Sequence, residues 1–355
     1  MRESLSDHPP APIWPFPAVA TGVGSMPGID ARESTAIVVG EFGAFPHVVQ
    51  LPARGPGGDP VGRSAAMLAD VDRAFEVETT VSGWRVGHAG QGVLRRARAW
   101  MSQDLEVLEE SVGSHRGPVK VQVTGPITLA ARITDSAGEA LLRDRGAVVE
   151  LSAAAAAAFA GLVTRMQRAF PHADVVVQVD EPDIPAVLAG EVRTSSGRLT
   201  YRSLEPPVVQ VLLQTVMHAL TSVGAIGGIR CFRPRAPIAV FRDAGAQFLG
   251  VDLDRPLPAD DALAQAWEDG IGLLLGCVPV RTFDRVTRPA SDAQSSALLR
   301  GFMSDSGFSE VPANVAITPS SGLAGVDLHV ARRVMEACVR VGSIVRDEHP
   351  EVDGG

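Results

Sequence analysis

The sequence holds one tyrosine, and aromatic residues make up only 5 % of its 355 positions. Its net charge is −9, with no long run of lysine or arginine to set against it. A nucleic-acid surface needs cations for phosphates and rings for base stacking, so no nucleic-acid partner is expected. Cysteine is also scarce. The three present, Cys231, Cys277 and Cys338, are odd in number and widely spaced, which suits reduced thiols in a cytoplasmic protein better than a secreted disulfide framework. The opening "MRESLSDHPPAPIWPFP" has no apolar centre of signal-peptide length, and no stretch offers about 18 uninterrupted apolar residues. No membrane partner is expected either. A dinucleotide fingerprint is missing too, since "GVGSMPG" (22–28) has the wrong glycine spacing.

What is present is a core-forming composition of 45 % hydrophobic and 21 % charged residues. Eight short apolar runs recur: "AVATGVGS" (18–25), "HVVQLP" (47–52), "VKVQVTGP" (119–126), "DVVVQVDEP" (174–182), "IGGIRCF" (226–232), "AQFLGVDL" (246–253), "GLLLGCVP" (272–279) and "VAITPSSG" (315–322). Each is continuous enough for a strand buried on both faces. Helical patterns lie between them at 30–42, 92–112, 147–170, 205–224 and 326–347. The alanine run at 153–158 reads as a helix face that packs closely. Eight strands alternating with helices predict an α/β chain folded as a (β/α)8 TIM barrel over 17–349, an open doubly wound sheet being the alternative. A proline-rich arm at 1–16, a tail at 350–355 and a lid or rim at 53–92 complete the expected organisation.

A barrel builds its active site at the C-terminal ends of its strands. The residues there include Ser25, Arg54, Thr124, Asp180, Glu181, Arg230, Cys231, Phe232, Asp252, Asp254, Cys277 and Thr318 to Ser321. Two adjacent carboxylates closing an apolar strand in "QVDEP" are costly to bury without a cation, an amine or hydrogen bonds. They predict ligand binding, with a structural ion pair or helix cap as the alternative. Strand alternation sends Asp180 and Glu181 to opposite faces without saying which meets the barrel axis. Thr124 in "VTGP" suits a ligand hydroxyl or a strand terminator equally. The stretch "RGPGGD" (54–59) is a loop, or a nest of N–H groups for an anion beside Arg54. The cysteines read as small buried hydrophobes, and no histidine falls on a strand end, so a zinc site is hard to assemble.

Five segments, "TGVGSMPG", "VQVTGPITLA", "VVVQVDEPDIPAV", "GAQFLGVDL" and "ITPSSGLAG", resemble the C-terminal catalytic barrel of cobalamin-independent methionine synthases, especially the short single-barrel homologues. The resemblance runs from about residue 18 to 342. It implies a (β/α)8 methyltransferase of methionine biosynthesis, in which zinc lowers the pKa of the homocysteine thiol. The family's His-x-Cys ligand pair falls on Arg230 and Phe232, its acidic ligand on Asp252 and its last cysteine on Ser321. Zinc is therefore expected for the family, while its ligands here are largely replaced. Ser25 matches a Gly-Ser-x-Pro turn, Asp180 matches the carboxylate that holds the substrate amino group, and Gln50 stands near an expected glutamate.

The resulting expectation is a divergent methyl or alkyl transfer to a thiol, with Arg230 and Asp252 as the catalytic pair. Ser25, Thr124, Asp180 and Glu181 are the expected binders of a small amino-acid-like or anionic substrate. The alternatives are a zinc-free lyase like the related uroporphyrinogen decarboxylases, using Arg54, Arg230 and Arg233, and a non-catalytic binding or partner protein on an inherited scaffold.

Overall fold

A computed structural model describes residues 19–255, 262–283, 286–305 and 314–347. The expected arm at 1–16 and tail at 350–355 lie outside these residues. The main sheet contains β1 (Val19–Ala20), β2 (Pro118–Thr124), β3 (Asp174–Asp180), β4 (Ile226–Arg230), β5 (Phe248–Asp252), β6 (Gly272–Val278) and β7 (Val315–Pro319). All are parallel neighbours in the order β1-β7-β6-β5-β4-β3-β2, so the sheet advances one strand at a time.

The architecture is α/β, with a curled parallel sheet of seven strands among the described residues. The run at 47–52, expected as a further strand, makes only isolated bridges, His47 to Lys120 on one side and Gln50 to Ser25 on the other. Val48 donates to Lys120 O at 2.8 Å and Gln50 donates to Gly24 O at 3.0 Å. One reason the ladder breaks is Gly24, whose φ of 114° departs from strand geometry. A Cβ there would also lie 2.8 Å from the Gln122 side chain.

Strand alternation splits the core in two. Val19, Phe45, Val176, Phe248, Leu274 and Ala316 meet from across the sheet, which is possible only on its concave side, and they form an apolar floor. Gly228 makes room for this floor, since a Cβ there would fall 2.3 Å from the Phe248 ring. The larger apolar cluster fills the space between the outer face and the helices.

Helices occupy Ala31–Glu41, Gln91–Val112, Arg145–Ala169, Pro206–Ser222 and Leu328–Asp347, close to the ranges read from periodicity. Asp30 and Asp144 cap two of them by accepting first-turn N–H groups. The helix Arg145–Ala169 is long and apolar enough to cross a membrane by length and composition. Glu150 interrupts its apolar run near the start. Here 56 % of its most apolar window is buried inside the fold. Its small side chains pack against the helices Pro206–Ser222 and Pro60–Val71.

The excursion at 53–92 is built into the body. The helix Pro60–Val71 is largely buried, and the hairpin Val77–Thr80/Gly83–Val86 pairs with Ile133–Thr134. Arg54 and Arg63 anchor the excursion by sharing Asp104, at 2.8 and 2.6 Å. Ser64 Oγ accepts from the Thr124 N–H at 2.8 Å, holding the helix over the end of β2. In "RGPGGD", the Asp59 carboxylate itself accepts from Gly57 N and Gly62 N, so the loop closes on its own cap. Arg54 points to Asp104 rather than joining Arg230, which removes it from the arginine set of the lyase alternative.

Candidate functional site

Above the apolar floor the concave face turns polar. Register places Thr124 beside Asp180 and Asp180 beside Arg230 on three successive strands. Alternation adds Lys120 and Gln122 on β2, Gln178 on β3, Asp252 on β5, and Thr318 and Ser320 at the end of β7.

Two hydrogen-bonded units meet here. In the first, Lys120 Nζ donates to Gly22 O at 2.5 Å and to Gln178 Oε1 at 2.7 Å. Gln178 Nε2 then donates to Asp180 Oδ1 at 2.8 Å, so one amide links cation to carboxylate. Burial drives the Lys120 ammonium down to about 7; Asp180 opposes that shift and Arg230 adds to it. Burial lifts Asp180 to about 6 against the pull of Arg230, the Gln178 hydrogen bond and Lys120.

In the second unit, Arg230 Nη2 donates to Asp252 Oδ1 at 2.8 Å and to Ser320 O at 3.1 Å. Both side chains are almost sealed, at 4 % and 3 % exposure. The guanidinium carbon lies 5.1 Å from the centre of the Phe232 ring, and Arg233 approaches the same ring at 5.4 Å. Glycines create this geometry. A Cβ on Gly250 would stand 2.6 Å from Arg230 Cγ, and one on Gly276 would stand 2.6 Å from Asp252 Oδ1. Burial lifts Asp252 to about 7, with Arg230 opposing and Asp254 reinforcing the shift. A carboxyl group in that range can exchange a proton near neutral pH.

Around these units, Gln122 Nε2 and Oε1, Thr124 Oγ1 and Thr318 Oγ1 are buried without hydrogen-bond partners among the described residues. His47 Nε2 is in the same condition beside Gly22, and burial together with Lys120 lowers its ring to about 3, leaving it neutral. Such atoms normally find water or a ligand.

The remaining candidates divide. Ser25 bridges Gln50, accepts from Leu323 N at 2.9 Å, and sets its hydroxyl against Gly322. Phe232 is half-buried and Ser321 is exposed. Glu181 turns the other way, accepting from Ile127 N, Thr128 N and Thr128 Oγ1 at 3.0, 2.8 and 2.6 Å. Burial raises it to about 8 against those donors. It holds the start of the helix Pro126–Arg132, and Asp180 is the carboxylate left on the concave side. Cys231 and Cys277 pack in the outer core, where burial pushes both thiols up to about 12, and burial likewise raises the Cys338 thiol well above its ordinary value.

The donor set does not fit zinc. Arg230 brings a cation bonded to Asp252, the nearest thiol faces the opposite side, and no group of three His, Cys, Asp or Glu converges among the described residues.

Lys120, Gln122, Gln178 and His47 were missed as site residues by sequence reasoning. For Lys120, Gln122 and Gln178 the signal was present in "VKVQVT" and "VVVQVDE", where polar residues recur at every second position of otherwise apolar strands.

No protein-family model matches this sequence, and no curated protein matches it. Solved structures do. A B12-independent methionine synthase from Shewanella sp. W3-18-1, in complex with selenomethionine, aligns over 94 % of this chain and 98 % of its own, with TM-score 0.59 and 10 % identity. The chain also aligns with 2,3-dimethylmalate lyase, a PEP mutase/isocitrate lyase superfamily member, over 93 % of this chain and 94 % of that one at 13 % identity. The TM-score of that alignment is 0.31. The likeness to the methionine synthase is one of fold: this chain has a TIM-barrel-like α/β architecture.

Proposed function

We propose that this protein is a divergent methionine-synthase-like enzyme that holds an amino-acid-like substrate at the C-terminal mouth of its sheet and, without zinc, transfers a methyl or alkyl group from a separate donor molecule to a thiol, the donor's bond to that carbon breaking as the new S–C bond forms and the donor keeping the electron pair. In this reading 47–50 serves as the eighth stave of a closed barrel, its bridges to Ser25 and Lys120 joining the two sheet edges. One observation carries the reading: a buried Arg230–Asp252 pair stands one strand across from Asp180, beside unpartnered polar side chains. Asp180 receives the substrate amine. Asp252, lifted to about 7, accepts the thiol proton, and Arg230 steadies the sulfur as it becomes negative.

The lyase reading retains Arg230 and Arg233, which share the Phe232 ring at the mouth. Isothermal titration with L-methionine and L-homocysteine, in buffer containing chelator, tests the first reading. Binding to the wild type that weakens about 10- to 100-fold in Asp180→Asn supports it. Absence of binding, or binding that requires added zinc, refutes it.

A further inference from the structure

Lys120 is the only lysine in the sequence; the other Lys and Arg positions are all arginine. It is fully buried, whereas lysine is ordinarily among the most exposed residues. Register sets it in the floor layer, beside His47 on one side and Val176 on the other, and its stem rises to the polar layer above. There Nζ donates to Gly22 O and Gln178 Oε1, and it has no third hydrogen-bond partner among the described residues. Two donated N–H groups satisfy a neutral amine and leave its lone pair uncommitted. An ammonium in the same place keeps one N–H unsatisfied in the interior. Arginine can serve two such acceptors but never gives up its proton.

We infer that Lys120 is a nucleophilic amine that condenses with a small, uncharged aldehyde or ketone to form an imine. Burial of the amine restricts its partner to a small molecule, and a charged one would bring an uncompensated charge into a poorly solvated layer. The next side chain on the same face of β2, Gln122, has an amide without partners among the described residues, and its Nε2 supplies a donor for the carbonyl oxygen. The Nζ lone pair adds to the carbonyl carbon, the π pair moves to oxygen, and a proton passes from nitrogen to oxygen. Asp180, lifted by burial to about 6, then protonates the hydroxyl. That oxygen leaves as water while the nitrogen pair forms C=N, and the remaining nitrogen proton returns to Asp180. No oxidant or reductant is needed. The titratable and charged groups facing the amine are His47, Asp180 and Arg230. Burial is the largest influence and brings Lys120 to about 7, so roughly half of it is neutral at pH 7, against about one in 3000 for an ordinary lysine. The inference needs neither the methyl donor nor the thiol of the proposed reaction.

The test is reductive alkylation of the full chain with propionaldehyde, cyanoborohydride supplying the hydride that traps the imine. Peptide mapping by mass spectrometry then reads the site. With a single lysine present, the terminal amine is the only other primary amine in the chain, and it serves as the reference. At about pH 7 Lys120 should be propylated at least about 10-fold faster in the native protein than in the same chain unfolded in urea, where an ordinary lysine is almost wholly charged. The native rate should level off a little above pH 7, whereas the unfolded rate should keep climbing towards about pH 10. A lysine that only braces the fold is shielded by it and reacts more slowly in the native protein than in urea. That result, or native label confined to the terminal amine, overturns the inference.

Discussion

Replacing Arg230 with glutamine exposes the electrostatics of the mouth most directly, because it leaves Asp252 buried without its cation. In the intact protein burial lifts Asp252 from 3.8 to about 7, and Arg230 holds it from rising further. An acid whose pKa is raised on folding binds its proton more tightly in the folded state, so stability falls as pH climbs from 3.8 through about 7. Without Arg230 the folded value moves higher, and the loss continues to higher pH. At about pH 8 the variant must bury an unpaired carboxylate or take up a proton, a cost of about 3–5 kcal/mol relative to wild type. At about pH 5 Asp252 is largely protonated in both proteins, and the difference shrinks to lost hydrogen bonds, about 1 kcal/mol. Asp180 loses the same pull from Arg230 and adds to the trend in the same direction. Urea melts at the two pH values, followed by far-UV circular dichroism, measure the difference. Adding Asp252→Asn should restore much of the stability lost at the higher pH. A deficit that is equal at both pH values, or larger at the lower one, would refute the reasoning.

Two further changes probe how the interior is assembled. Gly250→Ala places a Cβ 2.6 Å from Arg230 Cγ and should drive the stem off its path to Asp252, and a double-mutant cycle with Arg230→Ala should show coupling of at least about 1 kcal/mol. Additive effects would mean that the glycine does not create the arginine's path. Lys120→Met removes the donor to Gly22 O and Gln178 Oε1, at about 1–3 kcal/mol per stranded acceptor. Because burial lowers Lys120 from 10.5 to about 7, the wild type gains stability between those values as the buried ammonium is relieved, and methionine cannot. The variant's deficit should therefore grow from about pH 7 to pH 9 in thermal or urea melts, and a deficit that shrinks over that range contradicts the assignment.

The alternation of strand and helix was legible because each buried strand is a short apolar run and each long helix carries its own period, with Asp30 and Asp144 marking the starts of two of them. The opposite facing of Asp180 and Glu181 was also legible, from the two-residue period alone. Choosing between them was not. That choice depends on the helix Pro126–Arg132, whose N–H groups capture Glu181 from another part of the chain. Likewise "HVVQLP" reads as a strand like the others, yet its pairing depends on how Gly24 turns beside it.

By itself, then, the sequence determined most of the strands and helices, an alternation that implies a parallel sheet, and the polar positions on each strand, since these follow from local periodicity and side-chain chemistry. Only the tertiary structure decided what those polar residues meet. Arg230 lies across a strand that begins 18 positions later in the chain, reaching Asp252 through the space left by Gly250. Lys120 joins Asp180 through Gln178, 58 positions away from it. Such contacts arise from register and curl between distant segments, which no local pattern encodes.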